Sequence, residues 1–146
     1  MQINIYVKYF TELSLQELYE ILALRNSVFV VEQACAYQDI DGRDEAALHV
    51  IVREEEKLLA YLRVLPRGNG EAAIGRVLAV ERRKGFATLA LQAGITAAKE
   101  RFGAKRIYLE AQTYARGLYE KQGFLQCGEE FLEDGIPHIP MELYVI

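Results

Sequence analysis

The feature that most constrains this chain is a strand, a turn, a long helix and a second strand that follow one another in its middle. Residues 71–80 and 106–112 are apolar runs, and residues 85–102 between them carry apolar side chains on more than one helical face. A strand–helix–strand crossover strongly favours parallel pairing of its two strands. We therefore expect an α/β domain whose sheet is parallel at its centre, with the helix packed against that sheet.

The residues before this crossover alternate between apolar runs and turn-forming segments. Residues 3–9 alternate apolar and polar, and the runs 48–53, 57–65 and 71–80 are separated by acidic or glycine-containing turns. This pattern predicts an antiparallel meander. Ser14 and Glu17 have the spacing of a capping box, which predicts a helix over residues 14–30.

After the crossover, the pattern predicts a short helix over residues 114–122, closed by Gly123, and strands over 124–131 and 141–145. Cys127 would then lie on a strand, where we expect a core position. The expected fold is thus a mixed, partly parallel central sheet flanked by helices. A length of 146 residues fits one domain over residues 1–146.

Composition excludes several classes of protein. The formal net charge is −4, so there is no basic surplus to displace phosphate counterions, and we expect no nucleic-acid partner. No signal peptide and no apolar stretch of membrane-spanning length is found, which predicts a cytoplasmic protein without a membrane partner. Two cysteines and two histidines lack the spacing of a zinc site, so no metal is expected.

The densest chemical signal is the basic turn between the first central strand and the long helix. Arg82, Arg83 and Lys84 precede Gly85, and Ala87 follows in the first helical turn. The start of a helix carries unpaired amides and a partial positive charge, so it can hold a diphosphate. On spacing alone, a solvated basic cap before a core helix remains an open alternative.

Several motifs resemble one known family. Residues 82–87 (Arg-Arg-Lys-Gly-Phe-Ala) resemble the acetyl-CoA pyrophosphate loop of the GNAT N-acetyltransferases. Residues 112–124 resemble that family's second cofactor segment, with Gln112 where asparagine is more usual. Residues 30–41 (Val-Val-Glu-Gln-Ala-Cys-Ala-Tyr-Gln-Asp-Ile-Asp) and 133–138 (Glu-Asp-Gly-Ile-Pro-His) resemble its ElaA-like branch. The resemblance therefore covers nearly the whole chain.

The resemblance implies a GNAT-type sheet whose two central strands splay apart, so that acetyl-CoA inserts between residues 71–80 and 106–112. It also implies three groups of cofactor contacts: a strand backbone, a phosphate loop and one side chain. These are Leu78, Ala79 and Val80; Arg82, Arg83, Lys84, Gly85, Phe86, Ala87 and Thr88; and Gln112. Arg83 replaces a glycine common at its position, which matters if that residue must adopt a positive φ.

Acetyl transfer to an amine requires a proton for the leaving thiolate and a base for the amine. Tyr119 matches the family's acid position, and a phenol stays protonated at neutral pH; a buried core tyrosine is the alternative. Glu110, on the central strand, and His138 are candidates for the base. A structural ion pair for Glu110 and a structural role for His138 or His49 remain open.

The acidic segment before the meander is expected to cover the acceptor. Glu32, Asp39 and Asp41 there suit a cationic amine, and Cys35 is branch-like in position; a solvated acidic loop is the alternative. The sequence thus predicts an N-acetyltransferase that moves an acetyl group from acetyl-CoA to a primary amine by direct attack. A non-catalytic acyl-CoA-binding or sensing module is the other hypothesis. The acceptor, a small molecule or a peptide amine, and the oligomeric state, a homodimer included, stay open.

Overall fold

The computed structural model describes residues 2–146, in which strands and helices follow the predicted order closely. The elements are β1 (Ile3–Tyr9), α1 (Leu15–Arg25), β2 (Leu48–Glu54), β3 (Lys57–Gly68), β4 (Glu71–Ala79), α2 (Phe86–Phe102), β5 (Arg106–Gln112), α3 (Arg116–Glu120), β6 (Leu125–Gln126), β7 (Phe131–Glu133) and β8 (Ile136–Tyr144). Within these residues eight strands form one sheet, in the order β1-β2-β3-β4-β5-β8-β6, and β7 pairs with β8.

The first half of the chain confirms the predicted meander. Strands β1 to β4 pair antiparallel in succession. The capping box is present at the start of α1, where Ser14 Oγ accepts from the Glu17 amide at 3.0 Å and the Ser14 amide donates to Glu17 Oε1 at 2.8 Å. The predicted helix does not stay α-helical to residue 30, because after Arg25 it widens into the π-helical segment Asn26–Glu32.

The central crossover confirms the predicted splay. Strands β4 and β5 are parallel, but they pair only where residues 71–73 meet residues 106–108. Beyond that seam β4 continues along β3 to Ala79, and β5 continues along β8 to Gln112. The two strands therefore part and leave a wedge between them. Gly103 ends α2 with φ 61°, the left-handed conformation that glycine adopts at low cost.

The last quarter of the chain departs from prediction in two places. The last strand, expected over residues 141–145, is β8 and begins at Ile136. The expected strand over residues 124–131 is instead two short strands, β6 and β7, separated by an irregular segment. Gly128 in that segment lies so close to β8 that a Cβ there would stand 2.8 Å from Pro140 Cγ. The predicted core position of Cys127 is wrong, because Cys127 is exposed although its amide still donates to the Pro140 carbonyl of β8 at 2.9 Å.

Both faces of the sheet carry apolar side chains. One face packs against α2 through the larger cluster, which includes Leu62, Ile107 and Met141. The other face packs against α1 through a smaller cluster around Ile21, Tyr61 and Leu78. On β5, the residues that alternate with its core positions face the α1 side, and Glu110 among them is exposed. No helix among residues 2–146 is long and apolar enough to span a membrane.

Candidate active site

A cleft of about 1320 Å³ lies between the parted strands and extends over the α1 face of the sheet. Most of the predicted site residues line it, although they come from every part of the chain. They are Glu32, Cys35, Asp41, Leu78, Ala79, Val80, Arg82, Arg83, Gly85, Phe86, Ala87, Thr88, Glu110, Gln112, Tyr119 and His138. Two predicted residues, Asp39 and Lys84, are not part of its wall.

The start of α2 forms one end of the cleft. Gly85 is the N-cap, with φ 80°, and its carbonyl accepts the first helical hydrogen bond from the Leu89 amide at 3.2 Å. The amides of residues 86–88 therefore have no partner within the helix. Arg82 and Arg83 are exposed beside them. This donor set, with the positive end of the helix dipole, fits a diphosphate.

The edge of β4 supplies backbone groups next to the wedge. The Val80 amide donates to the Leu59 carbonyl of β3 at 2.9 Å, so it is not available for the contact that the resemblance implies. Backbone groups of successive strand residues point to opposite sides, so the N–H and C=O of Ala79 face the side from which β5 has departed. Ala79 is thus the better placed of these residues to pair with an inserted ligand.

Tyr119 lies on α3 and lines the cleft with 7% of its surface exposed. Its ring packs edge-to-face against Phe124, with centroids 6.1 Å apart. Burial, with a smaller contribution from Tyr114, raises the pKa of the Tyr119 phenol well above its ordinary value. The hydroxyl therefore holds its proton at any pH at which the protein would work.

His138 lies on β8, directly opposite Gln112 of β5. Its Nδ1 is 2.7 Å from the Ile136 carbonyl, and since a carbonyl only accepts, Nδ1 carries a proton. In the neutral ring Nε2 then has a free lone pair, with Glu133 Oε2 3.8 Å away. The ring is stacked on Phe131 at 5.7 Å. This arrangement gives His138 the chemistry of a proton acceptor at the cleft.

Glu110 lies on the floor of the cleft beside Tyr108. The Tyr108 hydroxyl donates to Glu110 Oε2 at 3.0 Å. Burial, followed by this hydrogen bond, raises the pKa of Tyr108 to about 12, so the phenol remains a donor. The carboxylate is exposed and bound by a hydroxyl rather than by a basic side chain, which leaves its charge available to a ligand.

The acidic segment behaves differently from expectation, because three arginines neutralise it. Asp39 binds Arg25 Nε at 3.0 Å and Arg76 Nε at 2.7 Å, and it is buried outside the cleft wall. Asp41 binds Arg63 and Arg76. Hydrogen bonds from Arg63 hold the pKa of Asp41 well below its usual range. The expected role of Asp39 in holding an amine therefore gives way to a structural one.

Sequence reasoning also missed a contact across the cleft. Gln33 and Gln112 exchange side-chain hydrogen bonds, with Gln33 Nε2 3.1 Å from Gln112 Oε1 and Gln112 Nε2 3.3 Å from Gln33 Oε1. The amide of Gln112, expected to contact the cofactor, is thus engaged by the segment that follows α1. Cys35 is buried in the same wall, with Sγ 3.7 Å from the Asp134 carbonyl.

Comparison with known proteins agrees with this geometry. Residues 12–145 match the sequence model of the acetyltransferase (GNAT) domain. A UPF0039 protein of Schizosaccharomyces pombe is 44% identical over 140 residues, covering 93% of each chain. Protein ElaA of Escherichia coli is 37% identical over 142 residues, covering 93% of each chain.

Solved structures agree as well. The crystal structure of Escherichia coli ElaA superposes with a TM-score of 0.89 at 34% identity, covering 97% of this chain and 99% of that one. An acyl-CoA N-acyltransferase from Pseudomonas aeruginosa gives 0.87 at 38% identity, covering 95% and 98%. The parted strands, the amide-rich helix start and these likenesses lead to one conclusion: the chain belongs to the GNAT acetyltransferase family, as an ElaA-like member that transfers an acyl group from an acyl-CoA.

Proposed function

We propose that the protein transfers an acetyl group from acetyl-CoA to a primary amine by direct attack, without an acyl-enzyme intermediate. The observation that carries the proposal is the wedge between β4 and β5, which has the free amides of α2 at one end and Tyr119, Glu110 and His138 around the rest. A thioester arm in this wedge would reach a cleft that holds both a proton donor and proton acceptors.

We expect the protein to contact the coenzyme in two ways, one at the diphosphate and one along the pantetheine arm. Amides of residues 86–88, with Arg82 and Arg83, would hold the diphosphate. Ala79 would pair with the pantetheine arm as a neighbouring strand does, because its N–H and C=O face the wedge. The pantetheine contact depends on backbone rather than on side-chain identity.

Tyr119 would act as the general acid. Its phenol is kept protonated by burial, and it lines the cleft from the side of α3. Donation of that proton to the departing thiolate prevents the thiolate from reversing the transfer.

We assign the two base candidates different tasks. His138 Nε2 has a free lone pair at the cleft, with Glu133 Oε2 3.8 Å away, so it accepts the amine proton directly or through water. Glu110 keeps an available negative charge on the open floor, so it attracts the ammonium form of the acceptor to the cleft. The two groups lie on neighbouring strands, β8 and β5.

Release of CoA thiol from acetyl-CoA over a panel of primary amines tests the function. We expect Tyr119→Phe to lower kcat about 100-fold or more, because a positioned general acid contributes about 10²–10⁴-fold, with the calorimetric Kd for CoA unchanged. Tyr19→Phe is the matched control, since Tyr19 is 79% exposed on α1. CoA binding without thiol release from any amine would contradict catalysis and identify an acyl-CoA-binding protein instead.

A further inference from the structure

We propose that the acceptor carries a carboxylate as well as its amine, and that Arg67 on the cleft floor binds that carboxylate. The inference rests on the proposed function, since it names the class of acceptor for the same cleft. It predicts amino-carboxylates, such as free amino acids, as substrates in preference to simple amines. Three observations carry it: the position of Arg67, its free charge and the opposite charge beside it.

Arg67 lies in the acceptor part of the cleft, far from the phosphate end. It is near the end of β3, where its neighbour Pro66 pairs with Ala72 of β4. Strand β4 continues from Ala72 to Ala79 before the chain turns towards α2. Seven residue steps at roughly 3.3 Å each put Ala72, beside Arg67, about 23 Å along β4 from Ala79, after which the chain turns towards α2. Its charge is therefore not available to the diphosphate.

Arg67 differs from Arg63 and Arg76 of the cleft, and from its neighbour Arg106, in what it contacts. Within the described part of the chain, it shares a ring contact without a carboxylate partner with Arg82, which lies 5.7 Å from the Tyr114 ring, next to the amides of α2. The guanidinium carbon of Arg67 lies 5.0 Å from the ring centroid of Tyr108. Arg106 lies 5.5 Å from the same ring, but Glu71 at 2.9 Å and Glu142 at 2.7 Å neutralise it.

Arg63 and Arg76 are neutralised in the same way by the aspartates of the acidic segment. Within residues 2–146, Arg67 contacts an aromatic ring rather than a carboxylate. A guanidinium stacked on a ring keeps its edge free for a bidentate bond to a carboxylate. Arg67 thus offers an unneutralised positive charge on the cleft floor.

The opposite charge is fixed by the same tyrosine. Tyr108 and Glu110 are alternate residues of β5, so both project from one face of the sheet. The Tyr108 hydroxyl binds Glu110 while Arg67 lies over the Tyr108 ring. One phenol side chain therefore holds a negative group at its tip and a positive group at its face. A zwitterionic acceptor complements both, with its ammonium at Glu110 and its carboxylate at Arg67.

The test compares linear ω-amino acids of increasing length, from glycine upward, with the alkylamines of matching length. CoA release is measured, and kcat/KM is calculated on the concentration of the neutral amine so that the two series can be compared directly. We expect wild type to prefer the amino acids about 10- to 100-fold at the best-fitting length, the range of a hydrogen bond between charged groups. Arg67→Gln should remove this preference by lowering kcat/KM for the amino acids alone, and Arg67→Lys should keep part of it.

Arg101→Gln is the matched control, because Arg101 also lies over a tyrosine ring, that of Tyr9 at 5.3 Å, but outside the cleft. It should leave both series unchanged. Equal use of the two series by wild type, or an equal loss in both with Arg67→Gln, would overturn the inference while leaving amine acetylation intact. No CoA release with either series would contradict the proposed function and the inference together.

Discussion

Arg83 occupies a backbone conformation that side chains other than glycine's rarely adopt. Its φ is 62°, and it stands two residues before Gly85, in the loop expected to hold the diphosphate. An L-residue in the left-handed region costs about 1–2 kcal/mol. The chain thus combines a strained backbone with an added positive charge at a point where related loops use glycine.

Arg83→Gly should separate these two effects. Glycine relieves the strain but raises the entropic cost of folding by about 0.5–1 kcal/mol. We therefore expect a net rise in Tm of about 1–4 °C. Loss of the charge should weaken CoA binding several-fold at low salt, in calorimetry.

Lys84→Gly is the matched control, because it removes the same charge from a neighbouring residue whose φ is not positive. Lys84→Gly should weaken CoA binding no more than Arg83→Gly does, and it should not raise Tm. A fall in Tm of equal size in the two variants would show that strain at Arg83 has no measurable cost.

Individual site residues were predictable where a local motif identified them, and not where their partners are distant in sequence. Gly85 was predicted from the local basic turn before α2, and Tyr119 from its match to the acid position of the GNAT family; both line the cleft. The Gln33–Gln112 pair joins side chains 79 positions apart, and the bond from Arg76 to Asp39 spans 37 positions. Only the folded chain brings such groups together. The acidic composition of the segment therefore suggested an amine-binding loop, whereas arginines distant in sequence neutralise its aspartates in the structure.

At the scale of elements, a β-bulge in β4 connects the wedge to the acceptor wall. Tyr61 pairs with Leu78 while Arg63 pairs with Gly75, so β4 carries one extra residue between these pairs. Arg76 lies within the bulge at φ 54°. Its side chain binds Asp39 and stacks on Tyr37 at 5.4 Å. The bulge thereby fastens the acidic segment to the strand that parts from β5.

Arg76→Gly keeps a residue suited to positive φ but removes this attachment. We expect the KM for the acceptor to rise about tenfold or more, since the variant loses the charged hydrogen bonds of Arg76 to Asp39 and Asp41 and each is of that order. The KM for acetyl-CoA should stay within twofold. Steady-state CoA release measures both.

Arg76→Ala is the companion variant, because it removes the same side chain and leaves an L-residue at positive φ. It should be less stable than Arg76→Gly by about 1 kcal/mol. If the KM for acetyl-CoA rose as much as that for the acceptor, the bulge would be holding the whole wedge rather than the acceptor wall.

Elements were predictable where their ends carry local signals. Ser14 and Glu17 begin α1 as a capping box, and Gly103 ends α2. The π-helical segment Asn26–Glu32 has no such signal, because apolar spacing does not distinguish it from a continuing α-helix. In the break between β6 and β7, Gly128 lies against Pro140 of β8, a contact that the local sequence does not encode.

At the scale of the whole molecule, buried ion pairs join α1, the acidic segment and the sheet. Asp44 Oδ1 binds Arg25 at 2.7 Å and Arg63 at 3.0 Å. Burial alone would raise the pKa of Asp44, but the hydrogen bonds and charges of Arg25 and Arg63 outweigh it and lower the pKa. A lowered folded-state pKa means that ionised Asp44 stabilises the native state.

This linkage predicts acid sensitivity. The contribution of Asp44 is fully present above its unfolded pKa of about 3.9 and is lost as pH falls through the lower folded value. Asp44→Asn should therefore cost about 3–5 kcal/mol at neutral pH and lose less stability than wild type on acidification below about pH 4. Urea unfolding across pH measures both quantities.

Glu45→Gln serves as the control, because Glu45 is the exposed neighbour of Asp44. Its unfolding free energy should stay within about 0.5 kcal/mol of wild type. Parallel pH profiles for wild type and Asp44→Asn would show that the buried ion pairs are not linked to stability in acid.

The seam between β4 and β5, only three residue pairs long, gives the sheet an incomplete middle. Beyond that seam, the facing edges of β4 and β5 carry backbone groups that do not pair with each other. A ligand that contains amide groups can hydrogen-bond to these edges as an additional strand would. Recognition by main chain is indifferent to most side-chain exchange, so the acceptor walls are free to diversify while the donor molecule stays the same.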